Sequence, residues 1–206
     1  MLHAHTDMPE ATSRRATGER RQQLYKVATE LFAHDGFAGV SMRQLSDHLG
    51  LYPGSLYNHF ESKQALLFEL IRDPLEELLS ETEHRVRCAE GTDAAMRAFI
   101  ACHLDFQIHQ RYRALLLNLE LRCLEPRYRD EVDVLLKRYR ECLGSIVSTG
   151  IAKGMYRQQS VSASVQAVLG MLCSVAYWFE DGQVLDTVAL TEHFDRMIRG
   201  ALQCSN

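Results

Sequence analysis

The sequence predicts an all-α fold of nine helices, and three observations point to it. Apolar residues recur three and four apart over most of the chain, the spacing that lays one stripe along a helix. No run of alternating β-branched residues bounded by turns occurs, so no sheet is expected. The 12 glycines and 4 prolines fall mostly between the periodic segments, where they mark ends.

Residues 1–17 mix His, Thr, Ser, Pro and Arg without apolar period and are expected to form a flexible arm, with the fold beginning near Gly18. Helix one carries Leu24, Val27, Ala28, Leu31 and Phe32, and should stop at His34-Asp35-Gly36, with Gly36 as a left-handed cap. Ser41 is placed to cap a second helix holding Met42, Leu45 and Leu49, closed by Gly50. Pro53 suits the first position of a third helix that runs barely two turns, to Phe60. Glu61-Ser62-Lys63 opens a fourth, which Asp73-Pro74 is expected to kink before Leu75 to Val86 resume it. Five more patterns run over residues 92–109, 111–124, 127–153, 161–179 and 187–203, parted by Gly91, Glu125-Pro126, Gly154 and Asp181-Gly182.

Twenty-three basic against 27 acidic side chains leave a net charge of −4, so no overall positive field draws this chain to nucleic acid or acidic lipid. Any such binding must be local. Seven basic against five acidic residues over 12–64, and sixteen against twenty from 65 onward, give a local excess of the right sign. Arg14, Arg15, Arg20 and Arg21 read either as a solvated tail or as an arm on phosphates or in a minor groove. The six cysteines (88, 102, 123, 142, 173 and 204) form no C-x-x-C pair and are expected to be reduced and mostly buried. The N-terminus lacks the apolar core of a secretory signal, which leads us to expect a cytoplasmic protein. The most apolar stretch, residues 165–179, is shorter than a bilayer crossing and is read as a buried helix.

Residues 41–60, SMRQLSDHLGLYPGSLYNHF, describe two short helices meeting across a tight turn, with Leu45, Leu49, Leu51 and Leu56 inward. That is a helix-turn-helix, whose second helix must present its N-terminal end to base edges while the first crosses the phosphate backbone. Ser41 and Arg43 can reach phosphate, Arg43 also a guanine edge. Ser55, Tyr57, Asn58 and His59 offer short polar contacts, and Lys63 adds a cation at the groove wall.

With helix one ending in Gly-Phe, the pattern S-x-R-x-L-x-x-x-L-G-L-x-x-G-S-L-Y-x-H-F-x-S-K-x-x-L resembles the DNA-binding domain of the TetR family of bacterial repressors, over residues 20–70. Gly50, Gly54, Leu56, Tyr57, Phe60, Lys63 and Leu66 stand at the family's spacing. The resemblance implies a nine-helix architecture with an arm (1–17), a helix-turn-helix DNA-binding domain (18–62), and an effector-binding and dimerisation domain (63–206). It further implies a homodimer on palindromic operator DNA, with half-sites about 10 base pairs or somewhat more apart. Carried over by position, Ser41, Tyr57, His59 and Lys63 would meet phosphates, and Arg43 and Ser55 would lie nearer bases. Tyr52 stands where the family often has a capping Ser or Thr, and Pro53 where a polar or basic residue is common, so base readout here is expected to be unusual.

In the C-terminal part, Met96, Phe99, Ile100, His103, Phe106, Leu115, Leu116, Leu119, Leu136 and Tyr139 could line a cavity for an apolar ligand or fill a bundle core. The stretch L-E-P-R-Y-R-D-E-V, Gly150 and Gly154, and Tyr177-Trp178-Phe179 are similar to regulators of fatty-acid and steroid catabolism. That similarity implies an acyl-CoA thioester as effector, with some of Arg111, Arg113, Arg127 and Arg129 on its phosphates. Two stripes, Val165, Val168, Leu169, Leu172, Ala176 and Phe179, then Thr191, Phe194, Ile198 and Ala201, are expected to build the dimer interface within 161–203.

Two other readings stay open: control of DNA binding by cysteine oxidation, and an all-helical enzyme or binding protein. A carboxylate-bridged di-iron site needs two Glu-x-x-His pairs, and only Glu81 with His84 matches; Asp105 and His109 share a helix face as a second metal or polar-ligand pair. No nucleophile elbow, H-E-x-x-H, P-loop or dinucleotide glycine pattern occurs, so no catalysis, metal or resident cofactor is expected, and no membrane partner.

Overall fold

Local rules decide where the helices begin and end. The computed structural model describes residues 10–57, 59–179 and 186–203, with the side chains of all of these except 10–19 and 53. Among them every element is helical: α1 (Glu10–Asp35), α2 (Met42–His48), α3 (Pro53–Leu56), α4 (Lys63–Cys88), α5 (Thr92–His109), α6 (Arg111–Glu120), a 3₁₀ turn (Leu121–Cys123), α7 (Pro126–Ala152), α8 (Val161–Cys173), α9 (Val175–Trp178) and α10 (Thr187–Leu202). Gly36 and Gly50 close α1 and α2 at φ +76° and +62°, which glycine adopts without a Cβ clash. Ser62 caps α4 by accepting from the Ala65 amide at 3.0 Å.

Four boundaries differ from expectation. The helical backbone of α1 starts at Glu10, inside the stretch read as an arm. Helix α3 is four residues long and stops short of Phe60, because the His59 and Phe60 amides both turn back to the Leu56 carbonyl (2.9 and 3.2 Å). Helix α6 ends at Glu120, the rest of the expected 111–124 span becoming the 3₁₀ turn Leu121–Cys123, whereas α4 runs on beyond Pro74 as one helix, as expected, with the ring buried on its packed face. The stretch 161–179 is divided at Ser174, whose hydroxyl donates to the Met171 carbonyl at 2.7 Å, into α8 and the single turn α9, which together fill the place of the expected eighth helix. The expected breaker Asp181-Gly182 lies outside the described residues, as do Asn58 and Cys204.

The apolar side chains form two cores. One holds Leu24, Phe32, Leu45, Leu56 and Phe60 together with Leu66, Leu67 and Ile71 of α4, and reaches Leu116, Leu124 and Val132. The other joins α5, α7, α8 and α10 through Phe99, Ile100, Leu104, Leu143, Val147, Leu172 and Ile198. Each such side chain stabilises by roughly 1.5–3 kcal/mol on leaving water. The boundary drawn between residues 62 and 63 thus marks the start of α4, while the first half of that helix packs with the N-terminal core.

The stripes expected to face a second subunit point the other way. Val165, Leu172, Ala176, Phe179, Phe194 and Ile198 are buried in the chain's own core, and Leu169 is half-buried, so these side chains are already covered. What α8 to α10 leave exposed is a different set: Ala163, Ala167, Gly170, Tyr177, Trp178, Ala189, Met197 and Gly200. The stretch 161–178 is therefore not the wholly buried helix expected of it. It is long and apolar enough to cross a membrane by composition alone, yet only 33% of it is buried and a turn divides it.

Candidate functional site

The two short helices present a polar face on a rigid base. Leu45 and Leu56 are fully buried beneath them, fixing α2 against α3. Ser41 is spent on structure: its hydroxyl donates to Gln44 Oε1 at 2.8 Å and accepts from the Gln44 amide at 3.2 Å, and its own amide donates to the same oxygen. The hydroxyl expected at phosphate is thus a capping group, while the Arg43 side chain beside it is exposed. Tyr52 precedes α3 with no side-chain cap bond and is 87% exposed; Tyr57, its C-cap, is 56% exposed. Gly54 is open, and Ser55 and His59 are half-buried. Arg21 is not part of a mobile arm, because it donates to Glu69 of α4 at 2.8 Å and to Tyr25. The side chains of Arg14 and Arg15 lie outside the description.

Lys63 also differs from expectation. Its ammonium donates to the Phe37 carbonyl and sits 4.1 Å from the Phe37 ring centroid, tying the start of α4 to the α1–α2 turn rather than facing a groove. Burial lowers its pKa, partly offset by the charge of Glu120. The next residue completes the joint. Gln64 Nε2 donates to the Cys123 carbonyl at 2.8 Å, and its Oε1 accepts from the Glu125 amide at 3.1 Å, so one side chain holds both ends of the segment joining α6 to α7.

That segment forms one wall of a cavity of about 230 Å³ between α4, α5, α6, α7 and α8. Its apolar lining is Leu75, Leu78, Phe106, Leu117, Leu121, Leu136 and Leu169, and its polar lining is His103, Gln107, Asn118, Tyr139, Arg140 and Cys173. Of the residues expected to line it, His103, Phe106, Leu136 and Tyr139 do. Met96, Phe99 and Ile100 are core residues outside the lining, Phe99 packing behind Tyr139 at 5.0 Å between ring centroids; Leu116 packs in the N-terminal core, and Leu119 is on the surface. Inside, Tyr139 Oη lies 2.9 Å from His103 Nδ1, and Gln107 Nε2 lies 3.1 Å from His103 Nε2. Complete burial holds the imidazole neutral, with its pKa lowered to about 4, and pushes the Tyr139 phenol well up. The Gln107 Oε1 and Asn118 Nδ2 atoms are buried without a partner.

Arg140 is the cation of this cavity. It is half-buried and makes no hydrogen bond or ion pair among the described residues. The four arginines expected near a ligand's phosphates do not line it: Arg113 pairs with Glu77, Arg127 with Glu125 and Arg129 with Asp133, while Arg111 donates to the Ala176 carbonyl. Arg111 and Arg113 border a larger polar groove of about 470 Å³ between α1 and the α5–α6 turn, far less apolar in its lining residues. Of the described cysteines, expected to be mostly buried, Cys102 is buried, Cys123, Cys142 and Cys173 are half-buried and Cys88 is exposed, and three of these thiols are unsuited to oxidation control. Burial raises the pKa of Cys102, and pushes Cys142 and Cys173 up to about 11, the opposite of what a reactive thiolate needs. Glu81 pairs with Arg85, and Asp105 with His109 at 3.0 Å on an exposed face.

Comparison with known proteins finds two family matches within the chain. Residues 24–70 match the family described as bacterial regulatory proteins, tetR family, and residues 90–202 match the tetracyclin repressor-like C-terminal domain. The HTH-type transcriptional repressor KstR2 of Mycolicibacterium smegmatis is 23% identical over 186 residues, covering 89% of this chain and 90% of that protein. Among solved structures, AibR in complex with isovaleryl coenzyme A and operator DNA superposes with a TM-score of 0.77 at 20% identity, over 89% of this chain and 98% of that one. FadR from Bacillus subtilis in complex with stearoyl-CoA gives 0.71 at 21%, over 89% and 100%.

The buried imidazole yields a pH test. Folding takes His103 from an ordinary pKa of 6.5 to about 4. Between those values the unfolded chain binds a proton that the folded chain excludes, so stability falls as pH drops through the window and levels off below it. At about 1.4 kcal/mol per unit the loss approaches about 3 kcal/mol. Urea unfolding at pH 7 and pH 4 should show the wild type losing about that much more stability than His103→Gln. Equal losses would mean that the folded imidazole takes up its proton at an ordinary pH.

Proposed function

Because the chain belongs to the TetR family of bacterial regulatory proteins, we propose that it is a cytoplasmic, homodimeric repressor that covers a palindromic operator and is released from it by an acyl-CoA thioester. The observation that carries this reading is the shared joint: the cavity wall at Leu121 belongs to the turn that Gln64 grips, and Gln64 lies in the first turn of the helix that follows the reading head. Filling the cavity displaces that turn and, through Gln64, the start of α4.

In this reading Arg43, Tyr57 and His59 meet the phosphate backbone, while Tyr52, Ser55 and the exposed Gly54 approach base edges, with Pro53 setting the entry of α3. An exposed tyrosine in place of a capping hydroxyl favours apolar contact, such as with a thymine methyl. The dimer face is the exposed set on α8 to α10, where Ala163, Ala167 and Gly170 allow close helix approach and Tyr177, Trp178 and Met197 supply apolar area. The free guanidinium of Arg140 suits a thioester's phosphates, consistent with the CoA ligands of the AibR and FadR structures. The effector works only through differential affinity: reversing a population from 99:1 to 1:99 takes about 10⁴-fold tighter binding to the released form.

Selection of bound sequences from a random double-stranded DNA pool, with and without a panel of acyl-CoA thioesters, tests the proposal. We expect an enriched palindrome that is lost on adding a thioester, and an Arg140→Ala protein that binds the same palindrome but needs about tenfold or more thioester for release. Enrichment of no sequence at any salt would refute the proposal. Gly170→Arg is expected to yield a folded monomer at micromolar concentration by light scattering, since among the described residues nothing lies within 4 Å of the position a Cβ would take. A dimer unaffected by that change would move the interface elsewhere.

A further inference from the structure

The cavity asks for more than an apolar chain. Gln107, 1% exposed, leaves at least one end of its amide unpaired whichever way the protons run. If the His103 Nδ1–H donates to Tyr139, the Gln107 amide nitrogen donates to Nε2 and its oxygen is left free. If Tyr139 donates to Nδ1, the Nε2–H meets either the Cys173 sulfur at 3.5 Å, leaving the Gln107 amide without a bond to the ring, or the amide oxygen after the amide turns over, leaving its nitrogen free. Asn118 adds a second unpaired atom, Nδ2, in the same lining. A buried polar atom without a partner costs about 1–3 kcal/mol, so a ligand that supplies the partner recovers that amount. The space is also short. At roughly 30 Å³ per heavy atom, comparable with a water molecule's share of the liquid, 230 Å³ holds about eight atoms, far fewer than a stearoyl chain.

Resting on the acyl-CoA reading above, the geometry points to an effector whose acyl group is compact, about eight heavy atoms, and carries a hydroxyl or oxo oxygen that pairs with Gln107. A hydroxyl satisfies either proton arrangement, since it both donates and accepts; an oxo group satisfies the one in which the amide nitrogen is free. Asn118 Nδ2 is the neighbouring donor to the same oxygen or to the thioester carbonyl.

Calorimetric titration of the intact protein with hexanoyl-CoA, its hydroxy and oxo derivatives substituted at the third or fifth carbon, and stearoyl-CoA tests this. At least one oxygenated six-carbon thioester should bind about tenfold or more tighter than hexanoyl-CoA. Stearoyl-CoA should bind weakest, and in Gln107→Leu the oxygenated compounds should lose their advantage over hexanoyl-CoA. Equal binding of oxygenated and saturated six-carbon thioesters overturns the inference, as would happen if a buried water served Gln107, and so does tightest binding of stearoyl-CoA. A preference that survives Gln107→Leu overturns the assignment to Gln107. Should that variant not fold, the wild-type panel alone decides. Binding of none of the thioesters refutes the acyl-CoA reading itself, an outcome distinct from binding without preference.

Discussion

Beside the apolar contacts of Leu116, Leu124 and Val132 with the N-terminal core, one polar side chain ties the two halves of this molecule together. Gln64 bonds the Cys123 carbonyl and the Glu125 amide at once, so the first turn of α4 cannot shift without the α6–α7 connection shifting too. Two such bonds are worth about 2 kcal/mol net, which lies within the 1–3 kcal/mol that typically couples two ligand sites. A stronger link would lock the head in one position; a weaker one would leave cavity and head independent. Lys63, bonded to the Phe37 carbonyl one residue earlier, carries the same displacement into the α1–α2 turn.

Around that joint the packing is arranged so that motion has few places to go. The N-terminal core runs without a break from Leu24 and Leu45 into Leu66 and Ile71 of α4, so the reading head moves with that helix as a body. The Arg21–Glu69 pair and the Tyr25–Phe60 ring contact at 5.7 Å fasten α1 and the end of the helix-turn-helix to the same element. Leu75 and Leu121, which pack with the N-terminal core, and Leu78, which packs with the other, all line the cavity, so an added ligand volume is felt by α4 and by the 3₁₀ turn together. Packed interiors transmit such displacements because they have little free volume to absorb them.

Features set by nearest neighbours were legible in the sequence. The left-handed glycines at 36 and 50, the Ser41 cap, the helix-turn-helix and the exact span of α5 follow from residues within a turn of one another. What depends on distant partners was not. The stripe Val165, Leu172, Ala176 and Phe179 is equally suited to this chain's own core and to a second copy, and only the fold decides that the first covers it. The signal for the outer face was present but of another kind: residues 161–179 contain no charged side chain on either face, unusual for a helix open to water. Arg140 looks like any other arginine of an amphipathic helix, since lacking a partner is a property of its surroundings. Conversely Lys63 and Arg21, placed by pattern at phosphates or in an arm, are held by intramolecular bonds that pattern does not reveal. Leu116 and Leu119 show the same limit, one rotated into the N-terminal core and one out to solvent, while Leu117 and Asn118 between them line the cavity.

The central claim is that Gln64 carries the state of the cavity to the reading head. Fluorescence anisotropy of labelled operator, titrated with protein in the presence and absence of a releasing thioester, measures this directly on Gln64→Ala. The account predicts that the variant still binds operator and, by calorimetry, still binds the thioester, while thioester-induced loss of operator affinity falls from about tenfold or more to about threefold or less. Release of Gln64→Ala as complete as that of the wild type would contradict it.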